Sequence, residues 1–201
     1  MNIDPMSKKA VLLMAYGSPE NEEDVLPFYT DIRRGVPPSS DHLEELIERY
    51  KMVGAFKGPS RLYEVSNKVT ELLSDSLGDN YDVYLGMRHW SPWISDVVKK
   101  MKLDGVSEAI AIVLAPHYST MSVAAYQNIV KKALDMHNAN IDITYVDSWH
   151  MAEDYLEAVK DLCLSTIQEN KIDIKNTHFF LTAHSLPKRI LSIGDKYQSA
   201  L

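Results

Sequence analysis

The feature that most restricts what this chain can fold into is the regular alternation of short apolar runs with longer segments of helical spacing. Five runs rich in Val, Ile and Leu read as strands: Ala10–Ala15, Asp82–Met87, Ala109–Ala115, Ile141–Val146 and Thr177–Ala183. Between them, apolar residues recur every three or four positions, as along one side of a helix. Three such segments separate the first two runs: Glu22–Arg34, Asp41–Met52 and Ser60–Leu77. The last places Leu62, Val65, Val69, Leu72 and Leu73 on its predicted inner side and meets Gly78 as a stop. Ser91-Pro92 reads as a cap and first helical residue ahead of Ile94, Val97, Val98 and Met101, and Gly105 ends that helix. Thr120–Met136 and Met151–Glu169 supply the remaining crossovers, the second with Tyr155, Val159, Leu162 and Cys163 on its apolar side. Apolar strands returned through helices belong to a parallel sheet covered on both faces. The predicted class is therefore α/β, a three-layer sandwich with a parallel sheet of about five strands, over residues 1–201 as a single lobe.

Composition narrows the function classes. With 45% hydrophobic and 24% charged residues, the chain can bury a core and is not disordered by composition. A net charge of −7 argues against nucleic acid, which calls for a basic face. The single cysteine, Cys163, cannot form an internal disulfide, a multi-thiolate zinc site or an iron–sulfur cluster, and it fits a reducing, cytoplasmic setting. The longest apolar run, Ala109–Ala115, is far short of the roughly 20 residues of a membrane-spanning helix. The stretch Met1–Met6 has no basic or apolar region of a secretory signal, and Met6 reads as a possible start.

In open α/β sheets, ligands bind beyond the carboxyl ends of the strands. Here those ends are Tyr16-Gly-Ser-Pro19, Arg88-His89-Trp90, Pro116-His117-Tyr118-Ser119-Thr120, Ser148-Trp149-His150 and His184-Ser-Leu-Pro187, which hold four of the seven histidines. No Walker loop or dinucleotide fingerprint is present, since Tyr16-Gly-Ser-Pro19 has one glycine and a proline. His184 reads either as the start of a capped helix or as a metal ligand or base, and the residues leave both open. His117 reads as a loop-orienting residue or a functional one, and His89 as a satisfied interior histidine or the edge of an aromatic pocket. Arg33, Arg34 and Arg49 either meet helix carbonyls or receive ligand carboxylates.

Taken together, five stretches resemble the ferrochelatases, which insert ferrous iron into a porphyrin late in haem synthesis. They are Val11–Pro19, Phe28–Gly35, Gly86–Pro92, Val113–Val123 and Thr182–Pro187, in family order over nearly the whole chain. The chain is most similar to the soluble bacterial branch acting on coproporphyrin, which has a tyrosine at the place of Tyr16. The resemblance implies that His184 contacts the metal and accepts pyrrole protons. It implies that Tyr16 lies over the macrocycle and can ligate its iron, and that Arg33, Arg49, Tyr50, Ser60, Tyr126 and His89 belong to the porphyrin site. Met14, Met87, Trp90 and Met121 are expected to line an apolar slot. Iron is then a substrate, with no permanently bound cofactor, and a full-length protein is expected to be monomeric and cytoplasmic.

Two departures stand out. Where relatives carry a Gly-Gly-x-Ser-Pro-Leu stretch, this chain reads Gly54-Ala-Phe-Lys-Gly-Pro-Ser60, so Ser60 is the serine available for a propionate. Family members also have two similar lobes, and the chain reads as the N-terminal one, without the acidic residue that faces the histidine. The alternatives are a porphyrin- or haem-binding lobe without turnover and a related chelatase for cobalt or nickel.

Overall fold

The computed structural model describes residues 8–201, so the reading of Met1–Met6 lies outside the described residues. Two compact units are present, one running through Leu114 and including Tyr126–Tyr145, the other comprising Ala115–Ala125 and Val146–Leu201. In chain order the elements are β1 (Lys8–Ala15), α1 (Val25–Ile32), α2 (Ser40–Met52), α3 (Arg61–Leu77), β2 (Asp82–Met87), α4 (Ile94–Leu103), β3 (Val106–Val113), α5 (Val123–His137), β4 (Asp142–Val146), α6 (Glu153–Glu169) and α7 (Arg189–Ser192). The class is α/β as predicted, with strand order β2-β1-β3-β4.

β1 is the central strand of the first unit. It pairs in parallel with β2, Val11 opposite Val83, and with β3, Val11 opposite Ile110. Every residue from Ala10 to Ala15 is buried, because hydrogen-bonded neighbours flank both edges and helices cover the faces. α4 gives Ile94, Val97, Val98 and Met101 to the core, as its spacing predicts. Gly86 on β2 lets that helix approach, since an added Cβ would stand 3.0 Å from the Ile94 side chain.

Four expectations are corrected. The sheet has four strands among the described residues, not five, because Thr177–Ala183 joins no ladder. Its apolar pattern calls for cover on both faces, but a strand also needs neighbours for its backbone donors and acceptors, and here Phe180 and Leu181 are 86% and 96% exposed. The fourth helix starts at Ile94 rather than at Ser91-Pro92, a cis peptide, since the Pro92 carbonyl is already used as acceptor for Met87 N at 2.6 Å. On α3, Leu62, Val65, Val69 and Leu72 face outward and Ser66 is the buried residue. α6 buries none of its residues. Spacing defines an apolar stripe, but which stripe packs depends on where the chain enters and leaves the helix. Among the described residues, no helix is long and apolar enough to cross a membrane.

Leu12, fully buried on the central strand, should be intolerant of truncation. Leu12→Ala is expected to cost about 2–5 kcal/mol of unfolding free energy, whereas Met52→Ala at an exposed helix end should change it by no more than about 0.5 kcal/mol. Urea unfolding followed by circular dichroism checks both.

Candidate functional site

In the first unit, the parallel ladder of β1 and β2 runs on past the strand ends. Arg88 N donates to the Ala15 carbonyl at 2.8 Å and His89 N to the Tyr16 carbonyl at 2.9 Å, which sets the two aromatic residues side by side. Their rings lie 4.6 Å apart, tilted by 58°. Gly17 then turns the chain with φ +92°, and a Cβ there would stand 2.9 Å from Trp90 N, so only glycine lets these two ends meet. Phe28 from α1 meets Tyr16 edge-on at 6.4 Å and Trp90 at 6.2 Å.

α1 also supplies Asp31, whose Oδ2 lies 2.7 Å from His89 Nδ1. Burial disfavours the charged imidazole and lowers the His89 pKa, Arg88 acts in the same direction, and Asp31 offsets them only in part. His89 is therefore neutral at pH 7, with Nδ1–H donating to Asp31 and the Nε2 lone pair left as an acceptor. Tyr16 is 41% exposed, and its pKa is raised, chiefly by burial, so it stands as a neutral phenol.

Tyr126, on α5, is buried beneath the Arg88 guanidinium, which lies 5.2 Å from its ring centroid. Its pKa is raised, first by burial. Arg33 closes α1, with Nε donating to the Val36 carbonyl at 3.1 Å and the guanidinium 6.0 Å from the Tyr29 ring. Arg49 pairs with Glu45 one turn earlier on α2, and both are exposed. Tyr50 stacks on Phe56 at 5.7 Å. Ser60 caps α3, its hydroxyl accepting from Tyr63 N at 3.1 Å. Tyr50 and Ser60 share a cleft of about 570 Å³ with Ser18, Lys57, Arg61 and Glu64.

The second unit holds His117, His150 and His184. His117 and His150 stack at 4.8 Å with 29° between planes, and His150 Nδ1 is buried without a hydrogen-bond partner. The His117 pKa is lowered, first by desolvation and then by His150. Both loops are joined by backbone, since Trp149 N and His150 N donate to the Pro116 carbonyl. His184 is exposed and lines a cleft of about 290 Å³ with Leu186, Ile190, Leu191, Tyr197 and Leu201. Close by in sequence, the Asp195 carboxylate accepts hydrogen bonds from Ser119, Thr120 and Tyr197. Burial alone would raise its pKa, but the hydrogen bonds outweigh it and hold the carboxyl at about 2.

Of the residues expected at the site, Tyr16 and His89 are thus in ring contact and Tyr50 and Ser60 line one cleft, while Arg33 and Arg49 are engaged within or beside their own helices. The two expected metal contacts, Tyr16 and His184, belong to different units. Among the described residues, no three of His, Cys, Asp and Glu gather where they could share a metal ion. Asp31, Asp195 and Tyr197 carry no role in the sequence reading, and Arg88 enters it only as part of the Arg88-His89-Trp90 strand end. Asp31 was within reach, because it stands in the Phe28–Gly35 stretch one turn from Phe28, whereas nothing in the local pattern points from Asp195 to Ser119.

A parallel sheet with helices between its strands, and polar and aromatic residues at the strands' carboxyl ends, places the chain in the open-sheet α/β class. Within that class, residues 8–201 match the Ferrochelatase family, and the chain belongs to it. It is 43% identical over 195 residues to a ferrochelatase of Deinococcus radiodurans, covering 95% of this chain and 61% of that protein. It is 37% identical over 200 residues to a ferrochelatase of Herpetosiphon aurantiacus, covering 97% and 65%. It is 38% identical over 200 residues to the coproporphyrin III ferrochelatase of Bacillus pumilus, covering 96% and 63%. The chain thus spans less than two thirds of the length of these relatives.

The Asp195 carboxylate should leave a signature in acid. Its folded pKa is depressed from the ordinary carboxyl value of 3.8 to about 2, so the stability it contributes is present above 3.8 and is lost as pH falls through about 2. A carbon-detected titration of the Asp195 carboxyl is expected to show its midpoint near the lower value, and loss of hydrogen-exchange protection at the Thr120 amide should follow the same curve.

Proposed function

We propose that this protein inserts ferrous iron into a porphyrin in haem biosynthesis, with coproporphyrin III or protoporphyrin IX as substrate. The observation that carries the reading is the juxtaposition of half-exposed Tyr16 with Asp31-bound His89 at the ends of β1 and β2, in a chain of the ferrochelatase family. The name of the Bacillus pumilus relative favours coproporphyrin III. In this reading the Tyr16 ring lies over the macrocycle and can contact its metal. His184 contacts the incoming ion and takes up a pyrrole proton, two of which must leave as iron enters.

Arg33, Arg49, Tyr50, Ser60, Tyr126 and His89 hold the porphyrin. A flat apolar macrocycle with carboxylates at its rim needs an aromatic surface and guanidinium forks, and Tyr16, Phe28, Trp90 and the two arginines are of those kinds. Arg33 and Arg49 now face a backbone carbonyl and Glu45, contacts that a propionate can replace at an exposed surface for little cost. Iron is the substrate in this reading, and no cofactor is held permanently. A cytoplasmic, monomeric protein completes the reading.

The test is anaerobic titration of the protein with each porphyrin, followed by ferrous iron, with metallation read from absorbance. His184→Ala is expected to slow insertion by about 10²–10⁴-fold, the usual contribution of a positioned base, and to leave porphyrin affinity within a few-fold. Insertion by that variant at the unaltered rate would reject the assignment. Arg33→Ala and Arg49→Ala should instead raise the porphyrin KM more than they lower kcat, because remote carboxylate contacts act on ground state and transition state alike. A porphyrin KM unchanged in both would contradict their role.

A further inference from the structure

His184 stands in a stretch with no helix or strand of its own, exposed, and ahead of a helix of only four residues. No intrahelical or sheet ladder fixes its backbone, so its position depends on contacts from elsewhere in the second unit. One reaches it directly, as the Tyr197 hydroxyl donates to the His184 carbonyl at 2.9 Å. Tyr197 is itself anchored, because its backbone N–H donates to Asp195 Oδ1 at 2.9 Å.

The other oxygen of Asp195 takes three donors. Ser119 Oγ lies at 2.9 Å, Thr120 N at 2.7 Å and Thr120 Oγ1 at 2.7 Å, across 75 or 76 residues of sequence. Ser119 is fully buried, and its hydroxyl also accepts from Met121 N at 3.1 Å. Its carbonyl receives Ser122 N and Ala124 N. The loop leading into α5 is therefore a rigid platform, and one carboxylate ties the 184–197 segment to it. His117, on the same loop, meets the Tyr197 ring edge-on at 6.2 Å.

We propose that Asp195 is the positioning residue for His184: it locks the turn to the Ser119–Thr120 platform, and Tyr197 carries that order to the histidine through its hydroxyl. This rests on the reading of His184 as the metal contact and proton acceptor. The charge and the second oxygen are both required. Asparagine keeps one acceptor and would turn an NH2 group toward N–H and O–H donors, so Asp195→Asn should behave nearly as badly as Asp195→Ala. Tyr197→Phe is the narrower cut, because it keeps the ring and the Asp195 bonds and removes only the link to His184.

Nitrogen-15 spectra of the histidine rings test this on the 201-residue protein without requiring turnover, with His184 assigned by its disappearance in His184→Ala. Tyr197→Phe and Asp195→Asn are expected to shift or split the His184 ring signals while leaving those of His42, His89 and His137 in place. Tyr197→Phe should lower the melting temperature by only about 2–4 °C. In iron insertion, Tyr197→Phe should lower kcat about tenfold and Asp195→Asn about a hundredfold, the scale of a small misplacement of a reacting group, with the porphyrin KM within about twofold. His184 signals identical to those of the unaltered protein in both variants would overturn the proposal. Insertion that survives His184→Ala would remove the functional reading instead, and the ring spectra would still decide whether the tether exists.

Discussion

The hydrogen bonding of β1 on both edges is the constraint on which the first unit depends. A strand paired on one edge can slip or fray, but β1 is fixed in register against β2 and β3 at once. That register continues into the loops. Because Ala15 and Tyr16 still accept from Arg88 and His89, the residue after β1 is held against the residues after β2, and side chains 73 positions apart become ring neighbours. Leu114 N likewise donates to the Met14 carbonyl at 2.8 Å, which aligns the end of β3 with the same edge. The site inherits its precision from the buried, wholly apolar stretch Ala10–Ala15 of β1.

The strands and most helices of this unit were legible because apolar runs bounded by polar ends leave few options for chain direction. β2 has the predicted bounds, β1 and β3 differ by a few residues at their ends, and the inner side of α4 is the predicted one. What could not be read locally is partnership. Thr177–Ala183 has the pattern of a buried strand, yet the pattern is a statement about what covers its faces and not about what pairs with its edges. The same limit explains α3, whose regular apolar stripe faces outward while Ser66 is its buried residue. Periodicity finds a stripe, and tertiary contacts choose the face.

At the candidate site, residue types were legible and their couplings were not. Tyr16 and His89 follow from strand ends, since chemistry collects there in open sheets. Asp31 and Arg88 act through distance and burial, which spacing does not report. Their effect on His89 shows why this matters. A carboxylate at 2.7 Å favours the charged imidazole, yet desolvation and the adjacent guanidinium prevail, and the pKa falls. The Asp31 contact then selects the Nδ1–H tautomer of the neutral imidazole and orients the ring.

The second unit achieves fixity by other means. Without a ladder over residues 177–187, order comes from side chains that bridge long stretches of sequence, Asp195 to Ser119 and Thr120 and Tyr197 to His184. Such bonds are charge-assisted at the carboxylate and ordinary at the tyrosine, so the anchor is stronger than the link it serves. A histidine held in this way can adjust by small rotations of one ring while the platform beneath it stays still. A helix or strand would fix the backbone of His184 through a ladder of bonds, where here a single tyrosine hydroxyl reaches its carbonyl. On the proposed reading of His184 as the metal contact, a single hydroxyl on a carboxylate anchor separates what holds the turn, Asp195 on Ser119 and Thr120, from what reaches the histidine, Tyr197.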